Sequence, residues 1–344
     1  MASDSDKSAK PAGPAVAVYL VTYRRHALLQ RSIASVLSQT HRNLRLYVVN
    51  DDPADGEVAQ ILAAFGDLRA ALFKPVSKRG ATGSFALVFA EAEADYAALL
   101  EDDNWWEPGF LQSQIAVLES RRDAVVCVGN ERIWREERGG SWTDTGRTIW
   151  PFSDVRDHHF RLGSICGGTV YCNSSALVRV ARDCSLAVPA SIPVDVTEHF
   201  RERLLPATIP LNGEVLVNYA ETLTTARDSS GVRWGQYQTL LIGSVFSTLA
   251  TAKDRKVLAA QLWEEVAAPT SPRAVTLVMT GLAIREARAL LHLAPMMALA
   301  RTALTILRRP GMMRAVSRAR RSKADEWDFL VKAPLTRAVT RAGA

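Results

Sequence analysis

Strand and helix patterns alternate strictly through the first third of the chain, and this alternation constrains the fold more than any other feature. Short apolar, β-rich runs predict buried strands at Ala15–Tyr23, Leu44–Val49, Ala71–Val76, Tyr96–Leu100 and Ala124–Val128. The segments between them carry apolar residues at helical spacing, beginning with a helix predicted over 26–38. Strict alternation implies right-handed crossovers and a mostly parallel α/β sheet flanked by helices.

Polar clusters follow three of these strands at the point where each strand ends. They are Thr22-Tyr23-Arg24, Asn50-Asp51-Asp52 and Glu101-Asp102-Asp103. Ligands of parallel sheets bind beyond the carboxyl ends of the strands, so we expect the three clusters to meet at one functional edge.

The acidic triplet Glu101, Asp102 and Asp103 indicates a divalent cation. Neighbouring carboxylates repel one another unless a cation or solvent screens them, and a nucleoside diphosphate needs a cation held by carboxylates and its own phosphates. A solvated acidic turn before a helix is the competing interpretation of the triplet.

A nucleotide is also indicated by the other two clusters. Asp51 could accept the N3–H of a uracil or thymine base, and Tyr23 could stack on that base. Lys78, Arg79 and the following Gly80 suit a diphosphate, although a basic loop is commonly just solvated.

The second half is less regular. We predict a surface loop at Arg135–Arg147, a strand at Thr169–Val178, a helix at Thr197–Leu205, a strand at Glu214–Tyr219, and helices almost throughout after Val232. Asp195 or Glu198 could serve as a general base that takes a proton from a hydroxyl. The adjacent His158 and His159 are weaker candidates.

The charge of the chain is unevenly distributed. The net charge is +6, yet between Arg273 and Lys323 only Glu286 opposes eleven Lys and Arg residues. Apolar residues interleave with these, so residues 287–323 have the character of a helix lying at a membrane interface, or of one that packs on its own domain or in a homo-oligomer.

No run is long enough for a transmembrane helix, and none of the four cysteines forms a CxxC pair.

Four stretches of residues 16–134 resemble the nucleotide-binding half of inverting glycosyltransferases of family 2, which have the GT-A fold. These stretches read VAVYLVTYRR, SIASVLSQT, LRLYVVNDD and YAALLEDDNWWEPGFL. A looser match continues to about Arg227 through VDVTEHFRERLL and EVLVNY.

The resemblance implies a role for each matching residue. Those that would bind the nucleotide are Val21, Thr22, Tyr23, Asp51, Arg79, Asp102 and Asp103. Glu101, Asp102 and Asp103 would supply the ligands of Mn²⁺ or Mg²⁺, and Asp195 would be the catalytic base. Two departures from the family pattern are that Glu101 stands where many members have Asp, and Arg24 where Asn is usual.

The sequence thus predicts a leader at 1–14, a GT-A domain at 15–230 with halves at 15–134 and 135–230, and a helical region at 231–344. The expected reaction moves a sugar from a UDP- or dTDP-sugar to a hydroxyl of a glycan or lipid-linked glycan of surface polysaccharide synthesis, with inversion. The expected location is cytoplasmic, with peripheral contact to the inner face of the membrane.

Three alternatives stay open. A nucleotidyltransferase shares the architecture and metal use, although TYRRHALL lacks the glycine-rich loop such enzymes carry after the first strand. A non-catalytic binding or scaffold protein could retain the acidic triplet. Nucleic-acid binding through the basic C-terminal segment is disfavoured, because aromatic residues are not interleaved with its charges.

Overall fold

The protein is described from a computed structural model covering residues 13–73, 75–90, 92–159, 169–180, 186–206, 208–223 and 231–333. The predicted leader therefore lies almost entirely outside the described residues. The described part forms two compact units. The described residues of one lie within 1–156, 173–184 and 210–223, and those of the other lie within 157–172, 185–209 and 224–344.

The first unit begins with four parallel strands in the order β3-β2-β1-β4. The strands are β1 (Val16–Thr22), β2 (Leu44–Asn50), β3 (Ala70–Phe73) and β4 (Tyr96–Glu101). The helices between them are α1 (His26–Leu37), α2 (Glu57–Phe65), α3 (Gly80–Phe85) and α4 (Leu87–Ala90). Every residue of β1 is buried because hydrophobic clusters cover both faces of the sheet. The predicted α/β class is confirmed.

The sheet then continues with antiparallel neighbours. The remaining elements up to β10 are β5 (Trp105–Trp106), α5 (Phe110–Ser120), β6 (Val126–Glu136), β7 (Trp142–Thr148), β8 (Val155–His159), β9 (Ala176–Arg179), α6 (Val194–Glu202) and β10 (Thr208–Glu221). The strand order is β3-β2-β1-β4-β9-β6-β10-β5, with β7 paired to β6 and β8 paired to β10. Strand β9 is antiparallel to β4 and β6, whereas β6 and β10 are parallel.

Several predicted elements have different bounds in the structure. The surface loop expected at Arg135–Arg147 is wrong, because β6 and β7 form an antiparallel hairpin there. Strand β7 is largely exposed, so its polar residues resemble those of a surface loop. The third strand ends at Phe73, and the helix expected after it is split into α3 and α4.

Beyond residue 231 the described chain is helical, as predicted. The helices are α7 (Val232–Thr248), α8 (Ala252–Glu264), α9 (Pro272–Ala283), α10 (Ala289–His292), α11 (Met296–Arg308), α12 (Pro310–Ser322) and α13 (Ala324–Lys332). One apolar cluster joins them with α6, including Phe200, Tyr237, Leu262 and Leu330. In this part of the chain and the other described ranges, no helix is both long and apolar enough to cross a membrane.

Candidate active site

The ends of β1 and β4 meet through a buried hydrogen bond. Thr22 Oγ1, at the last position of β1, donates to Asp102 Oδ2 at 2.7 Å, just beyond the end of β4. Both side chains are buried. The two strands are parallel neighbours, so their carboxyl ends lie at one edge, as the polar clusters predict. Val21, one residue earlier, packs into the hydrophobic cluster behind that edge.

Asp51 lies at the end of β2, the strand on the other side of β1. It is buried, and its Oδ1 accepts hydrogen bonds from the backbone N–H of Arg79 at 2.8 Å and from Ser84 Oγ at 3.0 Å. Asp51 therefore holds the basic loop after β3 against the strand edge. The guanidinium of Arg79 is carried on an exposed residue of that loop.

Tyr23 is the exposed aromatic residue of this edge. Lys78 Nζ lies 3.8 Å from the centre of its ring, and the Arg24 guanidinium lies 5.3 Å from it. Two cations beside one ring and an exposed basic loop make this part of the edge suited to an anion.

The three acidic residues after β4 have three different surroundings. Glu101 Oε2 accepts from Ser174 Oγ at 3.0 Å. Asp102 is turned inward toward Thr22, and Asp103 Oδ2 accepts from Arg25 at 2.7 Å. Each carboxylate of the triplet therefore has a side-chain partner.

Arg25 is a residue of this site that sequence reasoning missed. Its guanidinium bridges Asp102 Oδ1 at 3.0 Å and Asp103 Oδ2 at 2.7 Å. Arg24 before it has φ 56°, the one positive φ of a non-glycine residue among those described. Asn tolerates this left-handed conformation better than Arg, which explains the usual preference for Asn here. The signal available in the sequence was the basic pair at the end of the first strand.

Burial and charge act against each other on this bridge. Burial raises the pKa of Asp102 to about 6, although the charge of Arg25 lowers it. Burial by itself would lower the pKa of Arg25, but the charges of Asp102 and Asp103 raise it above its usual value. A fixed cation is thus built into the acidic edge.

Helix α1 also fixes the backbone of the acidic turn. Arg31 donates to the backbone oxygen of Asp103 at 2.8 Å, and its guanidinium lies 3.6 Å from the ring centre of Trp105 and 4.4 Å from that of Trp142. Burial lowers the pKa of Arg31 to about 10. Ser32 Oγ lies within hydrogen-bonding distance of the backbone oxygens of both Asp102 and Asn104. The turn is therefore pre-organised by neighbouring side chains.

The predicted base Asp195 belongs to the second compact unit. It lies in the first turn of α6, it is exposed, and its Oδ2 is 3.5 Å from the guanidinium of Arg233. An exposed carboxylate beside a cation is available to a solvent-borne hydroxyl. Glu198, the alternative base, is partly buried on the same helix.

The same helix carries two further titratable groups, the buried Glu202 and the partly buried His199. Burial raises the pKa of Glu202 to about 7, and its Oε1 accepts from Thr169 Oγ1 and from the backbone N–H of Val170 and Tyr171. Burial lowers the pKa of His199 to about 4, beside the Trp234 ring. These groups belong to the core of the second unit. Of the two weaker histidine candidates, His159 bonds to Thr208 and His158 also has a partner.

The acidic turn fits a cation only in combination with a phosphate ligand. Within the described ranges, no three His, Cys, Asp or Glu side chains are arranged to hold an ion by themselves. Asp102 is engaged with Thr22 and Arg25, Asp103 with Arg25, and Glu101 with Ser174. Mg²⁺ in proteins is commonly held by one or two carboxylates and substrate phosphates, and Asp103 suits that arrangement.

Comparison with known proteins finds a sequence family that matches part of the chain. Residues 17–180 match the family described as glycosyl transferase family 2. That range covers the four parallel strands, the acidic turn and β9.

Two curated relatives are similar over the same part of the chain. The putative glycosyltransferase EpsE of Bacillus subtilis (strain 168) is 28% identical over 171 residues, which are 49% of this chain and 58% of EpsE. The UDP-Glc:alpha-D-GlcNAc-diphosphoundecaprenol beta-1,3-glucosyltransferase WfgD of Escherichia coli is 30% identical over 118 residues, which are 34% of this chain and 46% of WfgD. The chain thus aligns with about half the length of these relatives.

The fold resembles that of S. aureus TarS. The crystal structure of "S. aureus TarS 1-349 in complex with UDP" aligns with a TM-score of 0.54 at 14% identity, covering 96% of this chain and 92% of that one. At this identity the likeness concerns the fold alone. It confirms the predicted GT-A architecture with a helical C-terminal region.

Proposed function

We propose that this chain, whose residues 17–180 belong to glycosyltransferase family 2, transfers a sugar from a nucleoside diphosphate sugar to a hydroxyl with inversion. The observation that carries the proposal is the convergence of Thr22, Asp51, Asp102 and Asp103 at the ends of three parallel strands, where nucleotides bind in such sheets.

We assign the uracil or thymine end of the donor to Asp51 and Tyr23. Asp51 Oδ1 already accepts two hydrogen bonds, and no hydrogen bond to Oδ2 is found among the described residues. A carboxylate has acceptor capacity for further donors, so Oδ2 could take the N3–H of the base. The name of WfgD specifies UDP-glucose and the TarS structure contains UDP, which supports a UDP-sugar here.

The diphosphate would lie between the basic loop and the acidic turn. Lys78 and Arg79 are exposed on that loop, and Asp103 would hold Mn²⁺ or Mg²⁺ together with the phosphates, with Asp102 binding the ribose. Such a cation neutralises charge that develops on a departing diphosphate. Arg25 adds a cation that is fixed in place before the donor binds.

Asp195 is the proposed base. Its carboxylate takes the proton of the acceptor hydroxyl while that oxygen bonds to the anomeric carbon and the bond to the diphosphate breaks. The electron pair leaves with the diphosphate, and the proton stays on Asp195. A single displacement inverts the anomeric carbon and needs only one base.

The acceptor we propose is a glycan linked to a polyprenyl diphosphate. The name of WfgD specifies a sugar-diphosphoundecaprenol acceptor, and that relative shares the nucleotide-binding half of this chain. Surface polysaccharide synthesis is the process that such an acceptor would serve.

A ligand screen tests the donor assignment. Melting temperature is measured with Mn²⁺ and UDP, dTDP, GDP or ADP, and we expect selective stabilisation by UDP or dTDP. A ligand at a hundredfold excess over its dissociation constant stabilises by about 2.7 kcal/mol. Asp51→Asn, which no longer prefers an N–H donor at that position, should lose the selectivity.

The outcomes also separate the alternative functions. UDP-sugar hydrolysis or transfer supports the glycosyltransferase. Nucleotide binding without turnover of any donor would favour the scaffold, and diphosphate release from a nucleoside triphosphate would favour the nucleotidyltransferase. Tighter binding of GDP than of UDP in calorimetry would overturn the donor assignment.

A further inference from the structure

Helix α11 exposes large apolar side chains to solvent in a way that no other described helix does. Sixteen large hydrophobic residues are exposed in the described chain, and five of them lie between residues 293 and 307. These five are Leu293, Met296, Met297, Leu304 and Leu307. Met296 and Leu307 are each 79% exposed. Contiguous exposed apolar surface marks an interaction site more often than scattered residues do.

The exposed residues of α11 fall on one side of the helix. At about 100° per residue, Ala303, Met296, Leu307, Ala300, Leu304 and Met297 occupy an arc of about 120°. Arg308 and Arg301 follow at one edge of that arc, and both are exposed. The buried residues Ala298 and Thr302 lie on the opposite side and pack inward. The solvent side of α11 is thus apolar with a basic border.

The next helix carries a basic stripe. Arg314, Arg318 and Arg321 on α12 are spaced four and three residues apart, so they share one exposed helix face. Neither α11 nor α12 contains Asp or Glu. Across the described ranges, no ion pair is found for these three arginines or for Arg301, Arg308 and Arg309. Six cations without an anionic partner among the described residues form a surface that suits an anionic partner outside the protein.

We propose that the exposed side of α11 and the arginine stripe of α12 dock onto the surface of an anionic phospholipid membrane. The apolar arc enters the boundary between headgroups and acyl chains, and the arginines meet the phosphates. The proposal deepens the proposed function, because a polyprenyl-linked acceptor resides in a membrane. Binding is measurable without donor or acceptor, so its failure leaves the transferase assignment untouched.

Charge selects the membrane over a second copy of the chain. A two-fold dimer through this surface would place the arginine stripe against its own copy or leave it uncompensated, and like charges repel. An anionic leaflet instead presents a continuous layer of phosphates that attracts each arginine. A helix with a basic border and an apolar arc matches that layer in both respects.

The test uses the full chain in flotation with vesicles of phosphatidylcholine alone and of phosphatidylcholine with phosphatidylglycerol. We expect binding to the anionic vesicles that weakens with added salt. Replacing Arg314, Arg318 and Arg321 by Gln should lower the partition coefficient by about fivefold per residue. The Leu304→Ser, Leu307→Ser double variant should lower it at both low and high salt.

A matched control replaces three exposed arginines of the first unit, Arg45, Arg122 and Arg138, by Gln. This variant has the same net charge as the α12 variant and should bind almost like the unmodified chain. Circular dichroism confirms that each variant is folded. The proposal is overturned if the unmodified chain ignores anionic vesicles, or if the control loses as much binding as the α12 variant. It is also overturned if Leu304→Ser, Leu307→Ser converts a dimer into a monomer in light scattering without affecting vesicle binding.

Discussion

The acidic turn after β4 and the helix α6 each carry three acidic residues, but the two sets differ in their burial and in their partners. In the turn, Glu101, Asp102 and Asp103 are consecutive; Glu101 pairs with Ser174, Asp102 with Thr22, and Arg25 bridges Asp102 and Asp103. On α6, the three acids Asp195, Glu198 and Glu202 lie on an α-helix that buries only the last of them.

The difference shows that the chemistry of a carboxylate depends on its burial and on the side chains that the fold places beside it. In the turn, a fixed guanidinium and a β1 hydroxyl hold the carboxylates at the sheet edge where a nucleotide would bind. On α6, Asp195 faces solvent beside Arg233, while Glu202 is enclosed and its pKa is raised to about 7 by burial. One helix thus carries both an available carboxylate and a core carboxylate.

The largest expected effect comes from the turn. Asp103→Ala should lower transfer by about 10³-fold or more, since it removes charge stabilisation at the departing diphosphate. The protein should remain folded, because Asp103 lies at the sheet edge and outside the apolar core, with a modest loss of stability from its ion pair with Arg25. Glu101→Ala should cost less activity. Full transfer by chelator-treated protein without added metal would contradict the metal role.

On α6, Asp195→Asn keeps the shape of the side chain but cannot take a proton. We expect turnover to fall by about 10²–10⁴, with donor affinity in calorimetry nearly unchanged. Glu198→Gln is the matched control and should retain most of the turnover. The reverse ranking would transfer the role of base to Glu198.

The burial of Glu202, at the end of α6, is tested by measuring the free energy of unfolding as a function of pH. The pKa of Glu202 is about 7 in the folded protein and lies near 4.3 in an unfolded chain, so the folded state holds the proton more tightly. Its contribution to the free energy of unfolding is fully present below about pH 4.3 and is lost as the pH rises through about 7. Glu202→Gln should therefore be more stable than the unmodified chain at pH 8 by about 1–3 kcal/mol.

The contribution of His199 to the free energy of unfolding depends on pH in the opposite direction. Glu202→Gln is therefore compared with the unmodified chain at each pH. Its pKa is lowered to about 4, and its contribution to stability is lost as the pH falls from about 6.5 to about 4. Subtracting the denaturation curves of Glu202→Gln and the unmodified chain cancels this common effect. A difference that does not vary between pH 5 and pH 8 would contradict the burial of the Glu202 carboxyl proton.

The smallest expected effect concerns Arg24, the residue before Arg25, whose φ is 56°. Arg24→Asn places a residue tolerant of φ 56° where Arg is strained, so we expect stability to rise by at most about 1 kcal/mol in urea denaturation. The ion pair of Arg24 with Asp52 involves a mostly exposed side chain and should be worth little. Lower stability of Arg24→Asn would show that this pair outweighs the backbone strain.

The sequence by itself determined the parallel core and the edge at which its polar clusters meet. Strand β1 is buried throughout and β2 is buried except at Arg45 and, in part, Tyr47, so their apolar runs and the helical spacing between them are visible without any partner. The helical character after residue 231 was also visible in the sequence. The family resemblance then follows from the motifs at the strand ends, and both the family match of residues 17–180 and the GT-A architecture are confirmed.

Only the tertiary structure decided which side chains share the charges of that edge. Arg25, which follows a residue in a left-handed conformation, meets Asp102 and Asp103, and Arg31 donates to the backbone of Asp103 while its guanidinium lies beside two tryptophans from separate strands. Glu202 and Asp195 look alike in a sequence, yet packing against residues 169–171 encloses one and leaves the other in solvent. The physical reason is that burial and pairing depend on residues distant in the chain, whereas strand and helix periodicity depends on near neighbours.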